Sequence, residues 1–204
     1  MPDLQPDLTD NPAILQDFKH WQSLLVKWNA RINLVSDAAM ADFWGRHALD
    51  SWQLWDFVPK TAQTMLDLGS GAGFPGIAMA IGCKSRGSGT VVMVESAGKK
   101  ANFLRTIIRE LDLPAKVWAD RVEKLTAASF DLITARAFAP LPKLLNYAQP
   151  FWGEGTTALL LKGQTAKEEL TAAAKLWNYD VESFPSRSDE SGVILKLQHL
   201  TPKS

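Results

Sequence analysis

The chain has 204 residues, 22 of them basic and 22 acidic, for a formal net charge of zero. That length suits one domain with a full core, and the neutral balance lends no support to a nucleic-acid partner but does not exclude a local basic patch. The one cysteine, Cys83, excludes an intramolecular disulfide, and neither a cationic-then-apolar leader nor an apolar run of membrane length is present, so a soluble, cytoplasmic protein without a membrane partner is expected.

Residues 1–10 hold two prolines and read as a loose arm. Asn11 followed by Pro12 is a helix start, a capping side chain before a preset φ. Ile14, Leu15, Phe18, Trp21, Leu24, Leu25 and Trp28 follow at helical spacing, and residues 29–36 break the pattern. Asp37 can cap a second helix over residues 37–57, with Met40, Trp44, Ala48, Trp52 and Trp55 as its apolar stripe. This helix carries Arg46, His47, Asp50 and Ser51. Arg46 and Asp50 are four apart, as are His47 and Ser51, so each pair shares a face; spacing alone favours a surface ion pair and a histidine at the stripe's edge. Five of the eight tryptophans precede residue 60 and read as packing residues rather than base-stacking platforms. Residues 11–58 thus form a helical extension that packs on, or lids, a core over residues 62–204.

Residues 64–81 organise that core. Met65, Leu66 and Leu68 surround a single Asp67; Gly69, Gly71, Gly73 and Gly76 follow; residues 77–81 are apolar. The order reads as buried strand, tight turn and helix packed back on the sheet. Glycine lets backbone approach a ligand, and the new helix aims its free N–H groups at the same place. Two patterns overlap. Gly71, Gly73 and Gly76 satisfy the dinucleotide fingerprint G-x-G-x-x-G. Asp67 with Gly69, Gly71 and Gly73 gives D-x-G-x-G-x-G, which resembles the S-adenosylmethionine (SAM) methyltransferases. Counted from the strand end at Gly69 the dinucleotide pattern fails at Phe74, and Pro75 removes an N–H that a pyrophosphate would use. The stretch therefore favours SAM over a nicotinamide cofactor.

Residues 82–89 read as a turn-rich loop, and Thr90–Val94 as a strand ending at Glu95. That acid lies about twenty residues beyond the glycines, where a carboxylate accepts hydrogen bonds from both ribose hydroxyls. A helix over residues 99–111 turns Ala101, Leu104, Ile107, Ile108 and Leu111 inward and leaves Lys99, Lys100, Arg105 and Arg109 exposed; Lys99 and Lys100 sit where a phosphate backbone could pass. A short strand over residues 116–118 leads to Asp120, Arg121, Val122 and Glu123, the adenine's place in the methyltransferase arrangement. A strand over residues 130–135 ends at Arg136, Pro140 and Pro142 start a helix through Tyr147, and an apolar strand over residues 157–161 ends at Lys162-Gly163. A helix over residues 165–177 and a terminal hairpin, residues 179–184 and 193–200, close the chain. The expected fold is α/β: an open, mostly parallel seven-stranded sheet with a C-terminal antiparallel hairpin, the Rossmann-like class I methyltransferase arrangement. Little chain is left for the substrate domain of a dehydrogenase.

The tip of the fourth strand reads Ala135-Arg136-Ala137-Phe138 rather than Asn/Asp-Pro-Pro-Tyr, which argues against exocyclic amine acceptors. Cys83 is misplaced for the nucleophile of pyrimidine C5 chemistry. Taken together and in order, Arg46-His47-x-x-Asp50-Ser51, the run from Asp67 to Ile77, Glu95-Ser-x-Gly-Lys99-Lys-x-x-Phe-Leu104, Arg121-Val-Glu123, Arg136-Ala-Phe138 and Leu161-Lys162-Gly163 resemble the RsmG family, once called glucose-inhibited division protein B. The resemblance implies a SAM-dependent methyltransferase that modifies guanine N7 in small-subunit ribosomal RNA, free or within the assembled subunit. It assigns cofactor contacts to the loop from Gly69 through Gly71 and Gly73 to Phe74, to Val122-Glu123 and to Arg136. It places Arg46, His47, Asp50, Lys99, Arg136 and Lys162 on a rim facing RNA. Guanine N7 is an unprotonated lone pair, so positioning rather than a base carries the chemistry; Arg136 and Lys162 are expected to orient the guanine through O6. A monomer is expected. The alternatives are an NAD(P)-dependent oxidoreductase and a non-catalytic SAM-binding ribosome-assembly factor.

Overall fold

The computed structural model describes residues 10–203, so the arm expected over residues 1–10 lies outside it except for Asp10. Helix α1 is Pro12–Ile32, with Asn11 Oδ1 accepting the N–H groups of Ala13 (3.1 Å) and Ile14 (3.4 Å). It runs past the break read in the sequence and stops where Asn33 turns left-handed, φ 48°. Ile14, Phe18, Trp21 and Leu25 form its buried stripe.

The second helix is in pieces. Ser36 caps α2 (Asp37–Ala41), Asp42 accepts the Gly45 N–H at 3.1 Å and opens a π-helical stretch, Phe43–Leu49, and α3 (Asp50–Trp52) passes into a 3-10 turn, Gln53–Phe57. Asp42 caps a second start six residues after Ser36 and so interrupts the helix expected over residues 37–57, which tightens again at Gln53. In the π-helical stretch, hydrogen bonds skip one residue further than in an α-helix, so the four-residue spacing from Arg46 to Asp50 no longer stacks the two side chains.

The strands and helices then alternate: β1 (Thr64–Leu68), α4 (Gly76–Arg86), β2 (Thr90–Val94), α5 (Gly98–Glu110), β3 (Ala115–Trp118), β4 (Phe130–Arg136), α6 (Leu141–Ala148), β5 (Trp152–Lys162), α7 (Ala166–Ala173), β6 (Trp177–Pro185) and β7 (Val193–Pro202). The sheet order is β3-β2-β1-β4-β5-β7-β6, with β1 to β5 parallel and β7 antiparallel to both β5 and β6. The order reverses between β1 and β4, the switch point at which open α/β sheets bind ligands. Alternation along β1 sends Met65 into one layer, with α1, α4 and α5, and Leu66 and Leu68 into the other, with α6 and α7. The N-terminal helices share the first of these cores with the sheet. Among the described residues no helix is long and apolar enough to cross a membrane.

Strand β5 opens at Trp152 rather than residue 157, and two helix ends also depart from the sequence reading. Helix α7 ends at Ala173, and Trp177 opens a strand; its apolar side chain extends the helical pattern by chance of spacing. Helix α4 continues through residues 82–86, read above as loop. Gly82 is there for packing: a Cβ would lie 2.4 Å from the Trp55 ring. Gly82→Ala is expected to cost about 1–3 kcal/mol through overpacking, measurable as a lowered melting temperature.

Candidate active site

The strand–turn–helix unit is built on Asp67. Its carboxyl is fully buried, accepting the Gly76 N–H (3.2 Å) through Oδ2 and the Thr134 hydroxyl (2.8 Å) through Oδ1. Burial pushes it up to about 6, against the pull of its hydrogen bonds. One side chain thus ties the end of β1 to the start of α4 and to β4. A Cβ on Gly76 would meet Asp67 Oδ2 at 2.6 Å. Gly69 (φ 72°) and Gly71 (φ 57°) adopt left-handed backbone, and the N–H groups of Gly69 and Ser70 donate to the Val94 carbonyl at 3.1 and 3.0 Å. Glu95, at the end of β2, accepts the Gly71 N–H (2.9 Å) through Oε2 and the Ala97 N–H (2.7 Å) through Oε1. The carboxylate is therefore fixed on both sides, and each oxygen keeps a lone pair.

Two cavities lie over the carboxyl ends of the strands. The first, about 550 Å³, is walled by Gly69, Gly71, Phe74, Glu95, Val122, Glu123 and Arg136, among others. The second, about 690 Å³, is walled by Arg46, Asp50, Arg136, Lys162, Glu169, Ser188 and Asp189, among others. They share Arg136, Ala137, Phe138 and Ala139, the turn leaving β4. Of the cofactor residues expected from the sequence, all but Gly73 line the first cavity. Gly73 lies behind it, where a Cβ would meet Ile77 at 2.4 Å. Lys99 is exposed on α5 and lines neither cavity, whereas Lys100 lines the first.

Arg136 is the hinge of the arrangement. One terminal nitrogen lies 3.1 Å from Asp50 Oδ2, the other 3.0 Å from His47 Nδ1, and the guanidinium sits 5.6 Å from the centre of the Phe74 ring. A guanidinium only donates, so Nδ1 accepts and His47 carries its proton on Nε2. His47 stacks on Phe74 at 4.3 Å and is 5 % exposed. Burial, then the Arg136 charge, lowers it to about 4. His47 is therefore not at the rim facing RNA but inside the wall, neutral, backing Arg136. The Arg46–Asp50 pair suggested by spacing does not form either: Asp50 turns to Arg136, and Arg46 stays exposed at the second cavity. Burial raises the Asp50 carboxyl, with Arg136 and Ser188 opposing.

The hairpin takes a part that no motif announces. Ser188 donates to Asp50 Oδ1 at 2.5 Å, Gln53 Nε2 donates to Ser186 Oγ at 3.0 Å, and the Arg187 N–H donates to Gln53 Oε1 at 2.8 Å. The tip between β6 and β7 is thereby sewn to the N-terminal helices across the second cavity. Lys162 is also less free than expected: its ammonium donates to the Ala139 carbonyl and to Glu169 Oε2, both at 2.8 Å.

A sheet of this order, with an acid-anchored glycine loop and a strand-end carboxylate facing one cavity, defines a Rossmann-like methyltransferase. Solved structures of that class align over most of the chain. The mitomycin 7-O-methyltransferase MmcR gives a TM-score of 0.63 at 10 % identity, covering 94 % of this chain and 70 % of that one. An O-methyltransferase from Bacillus cereus, solved with SAH, gives 0.58 at 16 % identity, covering 88 % and 91 %. At such identities the likeness is one of fold. Sequence relatives are nearer: the ribosomal RNA small subunit methyltransferase G of Hyphomonas neptunium is 46 % identical over 177 residues, 87 % of this chain and 84 % of its own. That of Paramagnetospirillum magneticum is 43 % identical over 187 residues, 92 % and 89 %. The family described as rRNA small subunit methyltransferase G, GidB, matches residues 14–193. The chain belongs to that family. These relatives do not favour the oxidoreductase reading.

Proposed function

We propose that this protein transfers the methyl group of SAM to N7 of a guanine in small-subunit ribosomal RNA, the first cavity holding SAM and the second the base. The observation that carries this is the shared wall: two cavities meet at one turn, Arg136 to Ala139, on a chain of this family. The first cavity fits SAM. Glu95 keeps an acceptor on each oxygen for the ribose hydroxyls, Val122 offers an apolar surface to an adenine, and Pro75 at the start of α4 denies an N–H that a pyrophosphate would use. SAM supplies an electrophilic methyl on a sulfonium.

The protein's part is placement. N7 carries a lone pair at neutral pH, so no base is required; His47 is buried and paired, and Asp50 is engaged by Arg136. Arg136, braced by Asp50, His47 and Phe74, presents a fixed donor to the O6 side of a guanine, and in-line placement supplies several kcal/mol. The target base is splayed from its stack to reach the cavity. Arg46, Lys99 and Lys100 offer cations to the RNA backbone around it. On this reading the enzyme works in the cytoplasm, as a monomer, and the neutral chain takes further contacts from an assembled subunit. The test is incubation with labelled SAM and undermethylated small subunits, followed by mapping of the label. A single N7-methylguanine is expected. SAM binding with no transfer to any subunit RNA would instead mark an assembly factor without turnover.

A further inference from the structure

Ala137 is a non-glycine residue in left-handed backbone, φ 50°, at the turn that divides the two cavities. Such backbone persists only where its surroundings hold it. Three attachments hold this turn. Phe138 packs against Gly69, where a Cβ would lie 2.3 Å from its ring, and lies 5.4 Å from the Tyr147 ring. Lys162 donates to the Ala139 carbonyl at 2.8 Å. Glu169, on α7, accepts the Leu141 N–H at 2.6 Å through Oε2. The last two are one unit, because the same Oε2 accepts from Lys162 at 2.8 Å, while Thr165 donates to Oε1 at 2.9 Å. The Lys162 side chain is 9 % exposed and that of Glu169 19 %. Burial opposes ionisation of Glu169, but the bonds from Lys162, the Leu141 N–H and Thr165 outweigh it and hold the carboxyl below the usual range.

We propose that Glu169 is a positioning residue for methyl transfer: with Lys162 it clamps residues 139–141 and so fixes the turn that carries Arg136 and Phe138 between the two cavities. The inference rests on the reading of those cavities as a methyl-transfer site. Lys162 then acts through the turn, its ammonium already engaged, rather than as a free contact to the base.

The experiment compares the wild-type chain with Glu169→Ala, Glu169→Gln and Glu169→Asp, using undermethylated small subunits and labelled SAM. It reads kcat, KM, SAM affinity by calorimetry and the melting temperature. Displacing a reacting group by about 1 Å costs on the order of a hundredfold, so Glu169→Ala is expected to lower kcat by about tenfold or more with KM and SAM affinity little changed. Glu169→Gln keeps an acceptor for both donors and should recover most of the rate. Should the alanine variant fail to fold, Glu169→Asp answers in its place: it keeps the charge, shortens the reach, and should slow transfer several-fold. A second reading comes from Phe138→Ala. If both residues act through one turn, Glu169→Ala adds little to the loss that Phe138→Ala causes alone. A folded Glu169→Ala or Glu169→Asp variant with wild-type kcat, or losses that multiply in the double variant, would leave Glu169 a brace for α7 only and overturn the proposal. A wild-type chain that transfers no methyl group overturns the reading of the cavities instead.

Discussion

Arg136→Ala is expected to lower single-turnover methyl transfer by at least about a hundredfold, because among the described residues it is the cation on the wall shared by both cavities. SAM binding should fall much less, since Gly69, Gly71, Glu95 and Val122 stay in place. The variant also leaves Asp50 without its cation. The two side chains are 23 % and 15 % exposed, so the stability loss should be about 2 kcal/mol, below that of a fully buried pair. Its pH dependence has a definite sign. Burial already raises the Asp50 carboxyl, and Arg136 pulls it down; without Arg136 it rises further. An acid raised in the folded state contributes stability at low pH that is lost as pH rises. The melting temperature of Arg136→Ala should therefore fall further below wild type above the usual carboxylate range than within it. Arg136→Lys keeps the charge but cannot reach Asp50 and His47 together, and should recover stability more than rate. A transfer rate near wild type in Arg136→Ala would remove the residue from its assigned role.

Asp67→Asn is expected to make the protein more stable at pH 8 and to weaken SAM binding. The carboxyl rises from 3.8 to about 6 on folding, so its ionisation opposes the native state: stability present below about pH 4 is lost as pH rises through 6. Two pKa units correspond to about 3 kcal/mol. The amide has no charge to bury. Its oxygen can accept the Gly76 N–H while the Thr134 hydroxyl rotates to accept from the amide nitrogen. The clean readout is the difference between the two proteins in urea unfolding from pH 4 to 8. His47, lowered to about 4, makes stability fall in both proteins as pH drops from 6.5 towards 4, which masks the opposite slope in the wild type alone but cancels in the difference. A difference that does not change across this range would show that the Asp67 carboxyl is not perturbed as the geometry requires. Loss of SAM affinity follows from removing a buried negative charge beneath a cavity that receives a sulfonium cation, and would show a site held against its own stability.

The glycine loop, Glu95 and the tip of β4 were readable in sequence because each is a local signal: strand, turn chemistry and helix follow one another within a few residues. The switch point between β1 and β4 needed the strand order, which only the structure supplies. What escaped depends on distant partners. His47 reads as a rim residue beside Arg46 until the π-helical stretch rotates it under Arg136, and that stretch is opened by the Asp42 side chain, which looks like an ordinary acid inside a longer helix. Asp50 finds Arg136, 86 positions on, in preference to its helical neighbour. Gly82 looks like a loop residue until Trp55 is placed over it. Glu169 carries no motif at all; its importance comes from a lysine seven residues earlier and a backbone N–H 28 residues earlier.

The stitching of the β6–β7 tip to Asp50 and Gln53 bears on biosynthesis. Every wall of the first cavity has been translated once Tyr147 is made, but the second draws on Ser186, Ser188, Asp189, Gly192 and Val193. Yet Leu195, Leu197 and Leu200 of β7 are buried in the same core as Leu66 and Leu68 beneath the first cavity. A premature stop in the last strand would thus open that core, and is expected to cost both cavities rather than the second alone.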